Sequence, residues 1–190
     1  PAVVRVRVEK GKEPKSQAVI SYFADPPIEE HEQTRVEAVT EVLEIALRDI
    51  LREELGETYS VSVGLSQATP QRGGGHIDIS FSASPDNVDK MIARVQQEVA
   101  RLQTTAPTED LTTRAKETAR RAYETSVKQN GFWLGRLQSA KLLERDPLLI
   151  LSRLQRIDAV TPAALHETFK NYFPADRHTI VTLVPEKPGL

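Results

Sequence analysis

Arg52 and Tyr59 stand seven positions apart across a helix-turn-strand corner, and their guanidinium and phenol groups are both hydrogen-bond donors. One tight turn brings the basic residue of the last helical turn close to the tyrosine at the mouth of the next strand. That corner is the candidate functional site. Other chemistry-bearing groups are sparse. Cysteine is absent, which removes disulfides, thiolate metal sites and cysteine nucleophiles. Gly73-Gly74-Gly75 lacks a following Lys-Ser/Thr and leads into a strand, so a hairpin loop is expected there instead of a phosphate cradle. His76 and Asp78 share the outward face of one strand, but no nucleophile accompanies them.

Arg52 also has an ordinary structural explanation. It continues the polar face of Glu41, Glu44 and Arg48, and a cation in a helix's last turn is stabilised by the dipole by ~0.3–1 kcal/mol. Tyr59 shares the parity of Val61 and Val63, which points its ring to the core side. An aromatic at a strand's mouth buries its ring and still presents its hydroxyl.

The elements that must position this corner are legible in the periodicity. Val36, Val39, Leu43, Ala46, Leu47 and Ile50 recur every three or four positions, the spacing of one apolar helical face. Asp25-Pro26-Pro27 breaks the chain before that helix, whose start falls between Ile28 and Thr34. Gly56 supplies the residue that commonly ends a helix, and Tyr59, Val61, Val63 and Leu65 alternate as a half-buried strand. A polar loop over 66–75 joins it to a strand with Ile77, Ile79 and Phe81 inward, and the pair reads as an antiparallel hairpin. Two earlier strands are expected over Ala2–Val8 and Ala18–Phe23.

After the hairpin the helices cluster. Ser84-Pro85-Asp86 carries a cap-then-proline signature ahead of the apolar stripe Val88, Met91, Ile92, Val95, Val99 and Leu102. Pro107-Thr108-Glu109-Asp110 starts a second helix, whose Arg114, Lys116, Arg120 and Arg121 are interleaved with Glu117 and Glu124 as on a solvated face. Asn130-Gly131 interrupts, then Phe132-Trp133-Leu134 and Leu137 open a further helix, either buried within the helical layer or facing another domain. A short apolar helix runs through Leu148, Leu151 and Leu154. Thr161-Pro162 caps another with Leu165, Phe169 and Tyr172 inward, and Thr179–Val184 is a closing strand. Helices clustered after the hairpin, instead of alternating with strands, predict an α+β fold, a mainly antiparallel sheet with helices on one face.

At 190 residues the chain is expected to form a single domain with room for a core. The net charge of −2 gives no reason to expect nucleic acid or membrane as a partner, and no apolar run reaches membrane-spanning length. Pro1 opens the chain without a methionine, as expected of a processed protein or a piece of a longer one.

Three segments in the same order carry a family resemblance. Ile157-Asp158-Ala159-Val160-Thr161-Pro162, with Leu165, Tyr172-Phe173 and Val181-Thr182-Leu183-Val184-Pro185, resembles the closing helix and strand of peptidase family M16, the pitrilysin and insulin-degrading group. Glu9-Lys10-Gly11-Lys12-Glu13-Pro14-Lys15-Ser16, followed by a strand and Pro26-Pro27, is similar to the start of the last domain in the bacterial branch. Leu51-Arg52-Glu53-Glu54-Leu55-Gly56-Glu57-Thr58-Tyr59 resembles the corner where these peptidases carry an Arg and a Tyr seven residues apart.

A catalytic M16 domain needs His-x-x-Glu-His, two imidazoles one helical turn apart on one zinc with a glutamate that activates water. None of the four histidines fits, since His31, His76, His166 and His178 are followed four later by Arg35, Ser80, Lys170 and Thr182. The resemblance therefore implies a zinc-free, non-catalytic domain, the last of a four-domain clam-shell metalloendopeptidase. Its partners would be the N-terminal catalytic half of the same protein, which would hold the zinc, and a peptide or unfolded polypeptide substrate. Arg52 and Tyr59 would be its substrate-binding residues, reaching across the chamber to position the peptide and polarise its carbonyl. Export to a bacterial periplasm is implied over a cytoplasmic place. The alternatives are an inactive M16-like structural or peptide-binding module, and an independent hydrolase built on His76 and Asp78.

Overall fold

The structure, a computed structural model, describes residues 2–24, 30–55, 60–67 and 75–186. Burial alternates along four of its five strands, which gives a sheet with one dry and one open face. The strands are β1 (Val3–Glu9), β2 (Ser16–Phe23), β3 (Val61–Gln67), β4 (Gly75–Ala83) and β5 (His178–Val184). Their order across the sheet is β1-β5-β2-β4-β3. Every neighbouring pair is antiparallel except β1 and β5, which run parallel from Val3 opposite His178 to Glu9 opposite Val184. The register stacks Ala18 on Phe81, Ile20 on both Ile79 and Ile180, and Tyr22 on Ile77. These residues are buried and form the sheet's contribution to the core.

The helices are α1 (Glu30–Leu55), α2 (Val88–Thr104), α3 (Glu109–Ser126), α4 (Asn130–Leu142), α5 (Arg153–Asp158) and α6 (Pro162–Tyr172), with a 3₁₀ turn over Pro147–Ile150. α1 and α2 lie against the sheet, and α6 packs on both of them. α3 and α5 lie on α1 in turn, so the helices form two tiers on one side of the sheet. This explains why α1 buries more than one stripe. Val42, Ile45 and Leu51 are buried alongside the predicted Val36, Val39, Leu43, Ala46 and Leu47, while Ile50 is half-buried. A helix covered on two sides needs an apolar arc wider than a single stripe.

The local signals hold where the chain's own caps decide. Thr161 Oγ1 accepts from the Ala164 amide at 3.2 Å, so the predicted cap is made, and Thr108, in the predicted helix start, caps α3 by accepting from the Leu111 amide at 3.2 Å. The buried residues of α2 include all six of its predicted stripe. The helix begins later than Ser84, however. Residues 85–87 form a turn, and the Asn87 and Val88 amides donate to the Ser84 carbonyl at 3.0 and 3.1 Å. The chain therefore turns once before α2 winds, with Asn87 at the cap position.

Two helix-face expectations need correction. The basic residues of α3 do not simply face water: Arg114 reaches Asp49 of α1 at 2.8 Å, and Arg120 pairs with Asp158. Lys116 Nζ donates to the carbonyls of Asp158 at 2.6 Å and Val160 at 3.1 Å, which pins the end of α5. The apolar residues after α4 do not all turn inward either. Leu148, in the 3₁₀ turn, and Leu151, just after it, are each 66% exposed. Phe132 and Trp133 pack within the molecule: Phe132 meets Tyr123 edge-on at 5.8 Å, and Trp133 Nε1 donates to the Val127 carbonyl at 2.8 Å. Leu134, 70% exposed, does not.

Candidate functional site

The corner of interest is built by the last turns of α1 and the start of β3. Along α1, Glu41, Glu44 and Arg48 are half-buried on the side turned to α3, and Arg52 follows one turn beyond Arg48. The Arg52 backbone belongs to α1, whereas its side chain and the whole of Tyr59 lie outside the described residues, as do Gly56 and Gly73-Gly74. What the described residues give is the frame on both sides of the pair.

Glu44 is the hinge of that frame. Its Oε2 accepts a hydrogen bond from the Val63 amide at 3.0 Å, and its carboxylate also pairs with Arg48 one turn on. β3 is an edge strand, and the Glu44 carboxylate occupies one of the outward amides that such an edge presents. The same bond fastens the strand that follows Tyr59 to the helix that carries Arg52. A hollow of about 430 Å³ lies alongside, lined by Glu41, Glu44, Arg48, Arg114, Glu117 and Arg121 among others. Burial raises the pKa of Glu41, the neighbouring Glu44 raises it further, and Arg48 and a hydrogen bond from Thr118 act against them. The hollow thus mixes charges of both signs, which suits a polar polypeptide backbone better than an apolar ligand.

The histidines are dispersed. On the open face of the sheet, His76 Nε2 lies 3.2 Å from Asp78 Oδ2 and Ser21 Oγ donates to Asp78 Oδ1 at 2.5 Å. The carboxylate stands between hydroxyl and imidazole, so the imidazole does not receive the serine proton as a general base would. His166 Nε2 sits 3.0 Å from the Gln103 carbonyl, and His178 is buried against Tyr22 with its Nε2 3.2 Å from Gln96. The side chain of His31 lies outside the described residues. Among the described residues no group of three or more His, Cys, Asp or Glu side chains could hold a metal ion. The described residues do not fit a zinc site.

With this geometry in place, comparison with known proteins decides the family. The model of the peptidase M16 inactive domain matches residues 3–119, more than half of the chain. The chain belongs to this family. A zinc protease PQQL-like protein of Arabidopsis thaliana is 27% identical over 168 residues, which span 77% of this chain and 17% of that protein. Among solved structures, the periplasmic protease PqqL from Escherichia coli superposes with a TM-score of 0.78 at 20% identity, over 97% of this chain and 21% of that one. The ferredoxin protease FusC, solved as a mutant in complex with Arabidopsis ferredoxin, gives 0.74 at 13% identity over 98% and 20%. This M16 domain therefore spans about a fifth of the length of those relatives. Its sheet of five strands with helices on one side is the fold of the M16 inactive domain.

Sequence reasoning did not find the tie from Glu44 to Val63. The Glu44–Arg48 spacing was visible, but the second partner comes from another element, and no local pattern announces it.

Proposed function

We propose that residues 1–190 form one domain, the last of a longer four-domain M16 metalloendopeptidase, and that it closes the chamber and positions the peptide. Arg52 and Tyr59 donate hydrogen bonds to the backbone of an extended substrate, holding its carbonyl for hydrolysis by groups that belong to another domain. Zinc in this reading resides in the N-terminal half of the parent protein and supplies the metal-assisted attack of water there. The observation that carries the proposal is the seven-residue spacing of Arg52 and Tyr59 across the end of α1, within a chain whose family is that of the M16 inactive domain.

Three further features support it. The chain makes up about a fifth of the length of the Arabidopsis PQQL-like protein and of Escherichia coli PqqL, which leaves room for several more domains in proteins of that size. Val4, Val6, Val8, Val181 and Leu183 leave an apolar stripe on the open sheet face, the kind of surface another domain covers. Protein binding by a relative, FusC with ferredoxin, suits a polypeptide as partner.

In the parent enzyme, Arg52→Ala is expected to lower kcat/KM by about tenfold or more, the loss of one charge-assisted hydrogen bond, with zinc content unchanged. Peptide hydrolysis assayed beside metal analysis measures both. Unaltered kinetics would remove the clamp and leave the domain a structural or peptide-binding module.

A further inference from the structure

The far end of α1 carries a second concavity, unrelated to the Arg52 corner. It lies between the opening turns of α1, the inner side of α4, the 3₁₀ turn and α5, and four arginines line it: Arg136, Arg145, Arg153 and Arg156. All four are half-buried. Asp146 is the single carboxylate residue lining it among the described residues, and its Oδ1 already accepts from the Leu148 amide at 2.9 Å.

The partners of these cations differ in kind. Arg153 pairs with Glu37 at 2.5 Å, which compensates its charge and fastens α5 to α1. Arg145 donates to Gln33 at 2.7 Å, and a neutral amide oxygen satisfies the donor without cancelling the charge. Arg136 lies over the Phe132 ring at 5.7 Å, and among the described residues no carboxylate pairs with it. Arg156 is held by Thr34 and Ser152 and takes part in further contacts. A chain of net charge −2 thus gathers half-buried guanidinium groups around one hollow.

The hollow opens into a larger groove of about 340 Å³ that shares Thr34, Phe132, Arg136 and Arg153 with it. Ala115, Ala119 and Ala122 of α3 floor this groove, Tyr123 and Ile157 stand on its walls, and Glu37, paired with Arg153, lines it together with Glu41 and Lys116. Small side chains at three- and four-residue spacing keep α3 from filling the space. Its size is at the lower end for a ligand site, ~300–1,000 Å³, and its charged mouth with an apolar floor is the usual division of labour in one.

We propose that this cleft is an accessory site for an acidic segment of the polypeptide substrate, a Glu or Asp carboxylate meeting Arg136 and Arg145 while a neighbouring aromatic or branched side chain enters the alanine-floored groove. The inference rests on the reading of this domain as one that handles peptide. Guanidinium groups match carboxylates in planar, two-pronged geometry, and arginines at a concave mouth that no carboxylate among the described residues neutralises select anions. Thr34 and Arg52 lie 18 residues apart on α1, about 27 Å at ~1.5 Å per residue. An extended chain covers that span in about eight residues at ~3.3 Å each. The acidic anchor is therefore about eight or more residues from the peptide bond held at Arg52, and shorter peptides engage one site only.

Fluorescence anisotropy on this chain tests the site with two labelled hexapeptides, one containing Phe-Glu-Glu and one containing Phe-Gln-Gln in its place. The acidic peptide is expected to bind about tenfold tighter, the discrimination of one charge-assisted hydrogen bond, and to weaken as salt rises. Arg136→Gln with Arg145→Gln should erase the preference. Ala119→Phe, which leaves every arginine in place and fills the groove, should weaken both peptides. Arg52→Ala, which removes backbone binding at the other corner from both peptides alike, should leave the preference for the acidic one intact, so failure of the clamp and failure of this site are told apart. Equal binding of the two peptides, or a preference that survives the double arginine variant, overturns the proposal.

Discussion

His178 is one of the few buried titratable side chains among the described residues, and its surroundings bear on how the fold responds to acid. Burial lowers its pKa from the ordinary imidazole value of 6.5, Arg5 lowers it further, and backbone oxygens at Ala175 and Pro174 work in the opposite sense. The unfolded chain therefore takes up this proton before the folded one does. Its stabilising contribution is complete above about pH 6.5 and declines as pH falls from there through the lowered folded-state value. Urea unfolding between pH 7.5 and 5 should show that decline, and His178→Gln should flatten it. A variant with an unchanged slope would contradict this. In the sequence the four histidines show that His-x-x-Glu-His is missing, while Arg52 and Tyr59 stand out by their spacing alone. The burial of His178 was not legible there, because a histidine at the head of a strand looks the same whether a helix covers it or not. The coverage comes from α2, through Gln96, 82 residues away in sequence.

At the scale of elements, the joint between α1 and β3 is the one that frames the proposed Arg52–Tyr59 corner. Glu44→Ala removes the acceptor of the Val63 amide and leaves that donor on an open sheet edge. A cost of about 1–2 kcal/mol is expected, since the acceptor is charged but partly exposed to solvent. Amide exchange should accelerate at Val63 while Ile79, inside the sheet, keeps its protection. Equal protection of Val63 in both proteins would show that β3 is held without Glu44. Helix caps and stripes were readable because they are local: Thr108, Thr161 and the α2 stripe each need only neighbours within a few residues. Partners across elements were not, which is why Arg114 and Arg120 read as solvated and proved to clamp α1 and the end of α5. Ser84 misled for a related reason. Its carbonyl, not its hydroxyl, takes the incoming amides, and a three-residue turn intervenes before α2.

At the scale of the whole molecule, helices clustered after the hairpin were enough to predict an α+β layer, and the sheet with helices on one side is that layer. The parallel pairing of β1 with β5 was beyond local patterns, since it joins the two ends of the chain. Every residue of β1 is exposed, and its alternate valines continue the apolar stripe of β5 on the open face. Val6→Lys with Val181→Lys is expected to leave the stability of this chain within about 0.5 kcal/mol and to weaken its association with the rest of the parent protein. Co-purification of separately expressed halves measures that, and undiminished association would exclude the open face as the interdomain surface. The central claim is that Arg52 and Tyr59 grip one peptide together. A double-mutant cycle on kcat/KM in the parent enzyme, with Arg52→Ala, Tyr59→Phe and both, tests it most directly. Coupling of about 0.5–3 kcal/mol between the two is the expected result. Strictly additive losses, or no loss in either single variant, would contradict it.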